Sequence, residues 1–121
     1  MSARVLVSVV DDDESMREAL PDLLREFGFA VEAFASADAF LRSGVLDETK
    51  CLVLDIAMPG MTGPELKQVL ESRGLNIPIV FITANAGSAS AGSLEGAEAC
   101  LVKPYSDTAL LAALKKALKL P

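Results

Sequence analysis

Five short runs of apolar residues recur along the chain, and each is continuous rather than alternating with polar residues. Continuous runs of this length are typical of strands that are covered on both faces, as the strands of a parallel sheet are. The pattern therefore predicts five parallel strands, over residues 5–10, 30–34, 51–54, 77–82 and 99–102.

Segments with apolar residues at helical spacing lie between these runs. The first has an apolar stripe from Met16 to Phe27, and Gly28 supplies its stop. Pro21 lies inside this stripe, where its missing N–H predicts a kink. Further helices are predicted over residues 36–43 and 64–74, and in a last segment that Ser106 or Asp107 caps.

Residues 85–96, NAGSASAGSLEG, are rich in glycine, alanine and serine. A helix in this place is expected to be short or irregular and to be the least ordered part of the domain. The alternation of strands and helices predicts an α/β fold with a doubly wound parallel sheet. We find no repeat and no linker, so we expect one domain over residues 1–121.

Composition narrows the classes of function. The net charge of -6 gives no general attraction to phosphate backbones, so we expect no direct binding to nucleic acid. No apolar stretch is long enough for a membrane span. Cys51 and Cys100 lie inside apolar runs, so we expect free thiols and a reducing, cytoplasmic location. The absence of histidine excludes a Ser-His-Asp triad and most zinc sites.

Chemically active side chains stand at four of the predicted strand ends, and they are Asp11 with Asp12, Asp55, Thr83 and Lys103. In a doubly wound sheet, ligands bind beyond the carboxyl ends of the strands, where the strand order reverses. Each residue alone also has a plain structural explanation, such as an acidic helix start, a turn, a strand-end hydroxyl or a surface lysine. Their joint placement favours a single functional crevice.

Electrostatics selects the chemistry of that crevice. Two carboxylates about 4 Å apart repel by about 4 kcal/mol at an effective dielectric near 20. Gathering three aspartates is therefore unfavourable without a proton or a cation, and oxygen ligands of this kind suit Mg²⁺. A carboxylate beside that cation can attack a phosphoryl group and form an aspartyl phosphate. An ammonium and a hydroxyl, as Lys103 and Thr83 carry, would then stabilise the developing charge.

Four segments resemble the receiver domain of two-component response regulators, and the resemblance covers essentially the whole chain. They are VVDDDES, LVLDIAMPGMTG, FITA and GAEACLVKP, in the family's order and spacing. The resemblance is to the CheY-like class, in particular to receivers of the FixJ/NarL type. It implies a flavodoxin-like (βα)5 fold with strand order 2-1-3-4-5.

The resemblance assigns a role to each crevice residue. Asp55 corresponds to the phosphoryl acceptor, Thr83 to the switch hydroxyl and Lys103 to the lysine that pairs with the phosphoryl group. It also implies a cis peptide before Pro104. The implied ligands of Mg²⁺, or of Mn²⁺, are Asp11, Asp12, Asp55 and the backbone carbonyl of Ala57. Asp13 is expected to support the rim and the helix start without binding the metal.

The family also implies partners. The phosphoryl donor is expected to be a phosphohistidine on a sensor histidine kinase or a histidine phosphotransfer protein. The chain is expected to be a signalling domain, not an enzyme, that assists its own phosphorylation and dephosphorylation and controls a partner or a C-terminal output domain such as a transcription regulator. It would be a stand-alone receiver or the amino-terminal part of a longer regulator. A phosphorylation-dependent homodimer is a further expectation of this type.

One departure from the family keeps a second function open. Position 100 usually carries an aromatic residue whose rotation reports phosphorylation, and here it is Cys100. This favours, as an alternative, a receiver-like interaction module that works without phosphate. A third hypothesis comes from Asp11-x-Asp13-x-Ser15, which resembles the nucleophile loop of haloacid-dehalogenase-type phosphatases. The short chain, without a late acidic pair after Lys103, argues against it.

Overall fold

The computed structural model describes residues 5–56, 58, 60–83, 99–103 and 105–119. Within these ranges five strands form one sheet in the order β2-β1-β3-β4-β5. All neighbouring strands run parallel. The strands are β1 (Leu6–Val10), β2 (Ala30–Phe34), β3 (Thr49–Asp55), β4 (Ile79–Thr83) and β5 (Ala99–Val102). The predicted sheet and strand order are confirmed, and the order reverses beside β1.

Four described helices cover the sheet: α1 (Glu14–Glu26), α2 (Ala37–Arg42), α3 (Gly63–Ser72) and α4 (Asp107–Leu118). Each begins behind a side chain that accepts a hydrogen bond from the first turn, as an N-cap does. These N-caps are Asp13, Ser36, Thr62 and Ser106. Among the described residues, no helix is long and apolar enough to cross a membrane.

Alternate residues of each strand point to opposite faces, so a continuous apolar strand contributes side chains to two cores, one on each face of the sheet. In β3, Cys51 and Val53 pack in the core that also contains Leu24 of α1 and Leu114 of α4. Leu52 and Leu54 pack on the other face, in the core with Phe40, Leu66 and Phe81. This two-sided burial explains why the runs are continuous in the sequence.

Several element boundaries differ from those predicted, among them the bounds of β3 and β4. β4 begins at Ile79, two residues later than predicted. The Pro78 carbonyl still accepts a hydrogen bond from Leu52 N, but proline has no N–H to donate to a neighbouring strand. β3 is longer than predicted and includes Asp55. Helix α1 is continuous through Pro21, which is buried against the rest of the domain. The helix expected over residues 85–96 lies outside the described residues.

A buried pair of hydroxyls joins β1 to the start of β3. Ser8 Oγ lies 2.7 Å from Thr49 Oγ1, and Thr49 Oγ1 donates to the Val45 carbonyl at 2.8 Å. Because Thr49 uses its proton on Val45, the Ser8 hydroxyl is the donor between the two side chains. The pair lies beside the register shift between Leu6 and Val7, where the regular hydrogen-bond ladder between β1 and β3 is interrupted.

We expect Thr49→Val to destabilise the domain by about 1–3 kcal/mol, because it leaves the fully buried Ser8 hydroxyl without its acceptor. The double variant Ser8→Ala/Thr49→Val should recover about 1 kcal/mol of that loss, since both polar partners are then removed. Urea unfolding of the three proteins measures the coupling. A double variant whose loss equals or exceeds the sum of the single losses would contradict the pairing.

Candidate functional site

Four strand ends meet along the carboxyl edge of the sheet. Asp11 directly follows β1, Asp55 and Thr83 are the last residues of β3 and β4, and Lys103 directly follows β5. The register keeps these ends level, since Asp55 pairs with Ile82. A backbone hydrogen bond of 2.8 Å from Lys103 N to the Thr83 carbonyl extends the β4–β5 contact by one residue. The sheet itself therefore gathers the residues predicted from the sequence.

Three carboxylates converge where the strand order reverses. One oxygen atom each from Asp11, Asp12 and Asp55 lies within 4.8 Å of the other two. Asp11 and Asp55 are buried, with 1% and 8% of their surfaces exposed, whereas Asp12 is exposed. Like charges this close are unfavourable without a proton or a cation, and the mixture of buried and exposed residues leaves one side open to solvent.

The carboxylate of Asp11 is held in a defined direction. Its Oδ1 atom accepts a hydrogen bond of 2.9 Å from the Asp13 backbone N–H. Its Oδ2 atom is buried and accepts no hydrogen bond from the described residues, although Lys103 Nζ lies 3.6 Å away. A buried carboxylate oxygen without a donor is unfavourable unless it has a further partner. The donor set thus fits a hard cation.

Asp13 is used for a different purpose. Its side chain caps α1 by accepting a hydrogen bond of 2.9 Å from the Ser15 N–H. Its backbone N–H is the group that fixes Asp11. This placement agrees with the supporting role predicted for Asp13 at the helix start.

The loop after β3 returns close to the strand that it leaves. Gly63 N donates to the Ile56 carbonyl at 2.9 Å, and Ile56 N donates to the Ile82 carbonyl at 3.0 Å. A Cβ atom on Gly63 would lie 2.6 Å from the Asp55 carbonyl oxygen and 3.0 Å from the ring of Phe81. Only glycine fits this approach. The importance of Gly63 was not predicted, although it belongs to the quoted segment LVLDIAMPGMTG.

Cys100 lies beside Phe81 in the register of β4 and β5. It is half-buried, and burial raises the pKa of its thiol. Phe81 is fully buried next to it. The large ring in this pair of neighbours is therefore on the inner strand β4 and the small side chain on the edge strand β5. Cys51 and Cys100 form no disulfide with each other; Cys51 is buried, as predicted, but Cys100 is only half-buried.

Tyr105 and Arg17 border the crevice and were not singled out from the sequence. The Tyr105 hydroxyl is buried and has no hydrogen-bond partner among the described residues. Burial, then the charges of Asp11 and Asp107, raise the pKa of Tyr105 to about 12. Arg17 Nη1 donates to the Asp11 carbonyl at 3.1 Å. No spacing in the sequence identifies either contact.

Two expected features fall on residues that the structure does not describe. The carbonyl of Ala57, expected as a metal ligand, lies outside the described residues, and so does Pro104 of the expected cis peptide. Both remain predictions of the sequence.

Comparisons with known proteins agree with this arrangement. A family model of the response regulator receiver domain matches residues 7–115. The chain is 40% identical over 115 residues to Nodulation protein W of Bradyrhizobium diazoefficiens, covering 93% of this chain and 51% of that protein. The chain thus spans about half the length of the curated relatives it matches.

Solved structures with the same fold include two response regulators. The response regulator StyR superposes with a TM-score of 0.88 at 44% identity, over 97% of this chain and 60% of that chain. The response regulator protein TrrA of Thermotoga maritima, in complex with Mg²⁺-BeF, superposes with a TM-score of 0.84 at 27% identity. That match covers 93% of this chain and 98% of TrrA.

We expect Gly63→Ala to destabilise the domain by about 1–3 kcal/mol, because the new methyl group would displace the backbone that carries Asp55. Gly44→Ala is the matched control, since a Cβ on Gly44 meets no atom within 4 Å. Chemical denaturation measures both. Equal stabilities of the two variants would show that the loop relaxes without strain on Asp55.

The pH titration of Tyr105 can be followed directly, because it is the only tyrosine and the chain has no tryptophan. Tyrosinate absorbance should reach half its amplitude near pH 12 in the folded protein rather than near 10, and Asp11→Asn should lower this midpoint. Between these values the unfolded chain releases the proton that the folded protein keeps, so stability should fall as the pH rises. A wild-type midpoint near 10 would contradict the burial of the hydroxyl.

Proposed function

Because the chain belongs to the response regulator receiver domain family, we propose that Asp55 is its phosphoryl acceptor and that phosphorylation changes how the domain controls a partner. The observation that carries the proposal is the convergence of Asp11, Asp12 and Asp55 at the reversal of strand order. In this cluster the carboxylate of Asp55 is the one at the end of a central strand, and the loop after it folds back on its backbone.

The proposed reaction transfers a phosphoryl group between the donor and a carboxylate. An oxygen of Asp55 forms the new bond to phosphorus, while the bond from phosphorus to the donor imidazole breaks and the imidazole takes up a proton from solvent. Lys103 is the cation proposed to attract the phosphoryl oxygens, and its ammonium already faces Asp11 across 3.6 Å. Thr83 is proposed to donate a hydrogen bond from its hydroxyl to a phosphoryl oxygen once the group is in place.

The three aspartates would hold a divalent cation, Mg²⁺ or Mn²⁺, which supplies positive charge that neutralises the phosphoryl oxygens. The buried Asp11 Oδ2, which accepts no hydrogen bond from the described residues, supports this assignment. So does the similarity to TrrA, whose structure contains Mg²⁺-BeF. The carbonyl of Ala57 is proposed as a further ligand on the family resemblance alone.

We propose a histidine kinase or a histidine phosphotransfer protein as the phosphoryl donor. The chain itself has no histidine that could serve. Relatives such as the transcriptional regulatory protein FixJ of Azorhizobium caulinodans are about twice as long as the match, so an output domain in the full protein is part of the proposal. The single receiver domain over residues 1–121, the cytoplasmic location and the phosphorylation-dependent homodimer stay predictions.

The family membership favours neither alternative function. A phosphatase that used Asp13 as a general acid would need that side chain at the reacting group, but Asp13 caps α1. An interaction module independent of phosphate would have no use for a crowded, repelling set of carboxylates, which costs stability without a cation.

The proposal is tested by incubating the protein with a small acyl phosphate in the presence of Mg²⁺. We expect the wild type to gain one phosphoryl group, measured by intact mass. Asp55→Asn should remain unmodified, because the amide is not a nucleophile at this position. Asp13→Asn is the matched control, since it makes the same chemical change while asparagine remains a good N-cap.

The control variant separates the hypotheses. Labelling of Asp13→Asn like the wild type supports the receiver mechanism. Labelling of Asp55→Asn at the wild-type level would refute Asp55 as the acceptor. Multiple-turnover hydrolysis of a phosphate monoester that is lost in Asp13→Asn would instead support the phosphatase.

A further inference from the structure

We propose that Arg17 is a positioning residue for the metal site, because it fixes the backbone of Asp11 and so the direction of the Asp11 carboxylate. This inference rests on the proposed function, in which Asp11 helps to bind a divalent cation. The observation behind it is the hydrogen bond of 3.1 Å from Arg17 Nη1 to the Asp11 carbonyl oxygen.

The Asp11 carbonyl is in a place where the sheet gives it no partner. β1 ends at Val10, and although Asp11 N still donates to the Phe34 carbonyl at 3.1 Å, its carbonyl accepts no backbone hydrogen bond among the described residues. Asp11 is almost completely buried. A buried carbonyl without a donor is unfavourable, so the guanidinium of Arg17 meets a requirement that the strand leaves open.

Arg17 is itself held by the residue that orients the carboxylate. Its backbone N donates to the Asp13 carbonyl at 3.1 Å in the first turn of α1, and Asp13 N donates to Asp11 Oδ1 at 2.9 Å. The contact from Arg17 Nη1 to the Asp11 carbonyl closes a ring of three hydrogen bonds. Both ends of Asp11, its carbonyl and its Oδ1 atom, are therefore tied to the first turn of one helix.

This ring uses Oδ1 of Asp11 and leaves Oδ2, which lies 3.6 Å from Lys103 Nζ, without a hydrogen bond from the described residues. The guanidinium forms no ion pair with a carboxylate among the described residues, so its role at the crevice is through its hydrogen bond to the backbone. Removal of a residue that orients a metal ligand through a hydrogen bond commonly lowers the affinity for the metal.

Removal of Arg17 should change the affinity for a divalent cation in opposite directions, depending on whether Arg17 acts by positioning Asp11 or through its positive charge. If Arg17 acted only through its positive charge, its removal would tighten the binding of a divalent cation. If it acts by holding Asp11, removal should weaken that binding. We expect Arg17→Met to weaken Mg²⁺ binding about tenfold. Arg17→Lys retains a donor that can reach a carbonyl and should stay within about threefold of the wild type.

Mg²⁺ affinity is measured by titration of amide chemical shifts in the purified protein. The matched control is Arg25→Met, which removes an arginine from the same helix; its exposed side chain pairs, among the described residues, with the exposed Asp22. It should bind Mg²⁺ like the wild type. Unchanged or tighter binding in Arg17→Met would overturn the inference.

A second measurement needs no metal. Hydrogen exchange of the Asp13 amide reports its bond to Asp11 Oδ1, and it should be faster in Arg17→Met than in Arg25→Met at equal global stability. If Arg17→Met fails to fold, Arg17→Gln takes its place, since the shorter glutamine side chain should not reach the Asp11 carbonyl. Absence of Mg²⁺ binding in the wild type would count against the proposed function, whereas an unchanged Asp13 exchange rate would count against Arg17.

Discussion

The mutual repulsion of three carboxylates is the constraint on which the rest of the structure depends. Asp11, Asp12 and Asp55 bring their oxygens within 4.8 Å of one another, and two of these residues are buried. Such a cluster lowers the stability of the cation-free domain, and the same repulsion gives a cation its affinity. The fold has to hold the aspartates together against that force, so the stabilising contacts must come from groups other than the three carboxylates.

Those contacts are mainly backbone contacts at the strand ends. Asp55 is fixed by its place in a central strand and by the close approach of Gly63 to its carbonyl. Asp11 is fixed by hydrogen bonds to its N–H, its carbonyl and one carboxylate oxygen. Lys103 Nζ lies 3.6 Å from Asp11 Oδ2, and this oxygen accepts no hydrogen bond from the described residues. The parallel sheet thus supplies the rigidity, while Oδ2 of Asp11 accepts no hydrogen bond from the described residues and could bind a ligand.

The sequence allowed most of this arrangement to be predicted, because strand-end chemistry follows from continuous apolar runs. Five strands and the convergence of Asp11, Asp55, Thr83 and Lys103 depend only on the period of the pattern and on the parallel topology. The contact of Arg17 with a backbone carbonyl and the missing Cβ at Gly63 were not predictable in the same way. Each depends on the distance between residues of different elements. Neither the hydrophobic period nor the spacing of motifs in the sequence gives that distance. The predicted strand start at Ile77 was wrong by two residues, because Pro78 has no N–H to donate to a neighbouring strand.

The replacement of an aromatic residue by Cys100 changes what the edge of the sheet can do. In the family resemblance, an aromatic side chain at this position responds to the switch hydroxyl by rotating. Here the ring in the neighbouring register position is Phe81, which is fully buried and in contact distance of the site that Gly63 occupies. A fully packed ring on an inner strand is held by its neighbours, since interiors leave little space for rotation. A change at Asp55 that passes through Gly63 and Phe81 would therefore move packed groups together rather than rotate a single side chain.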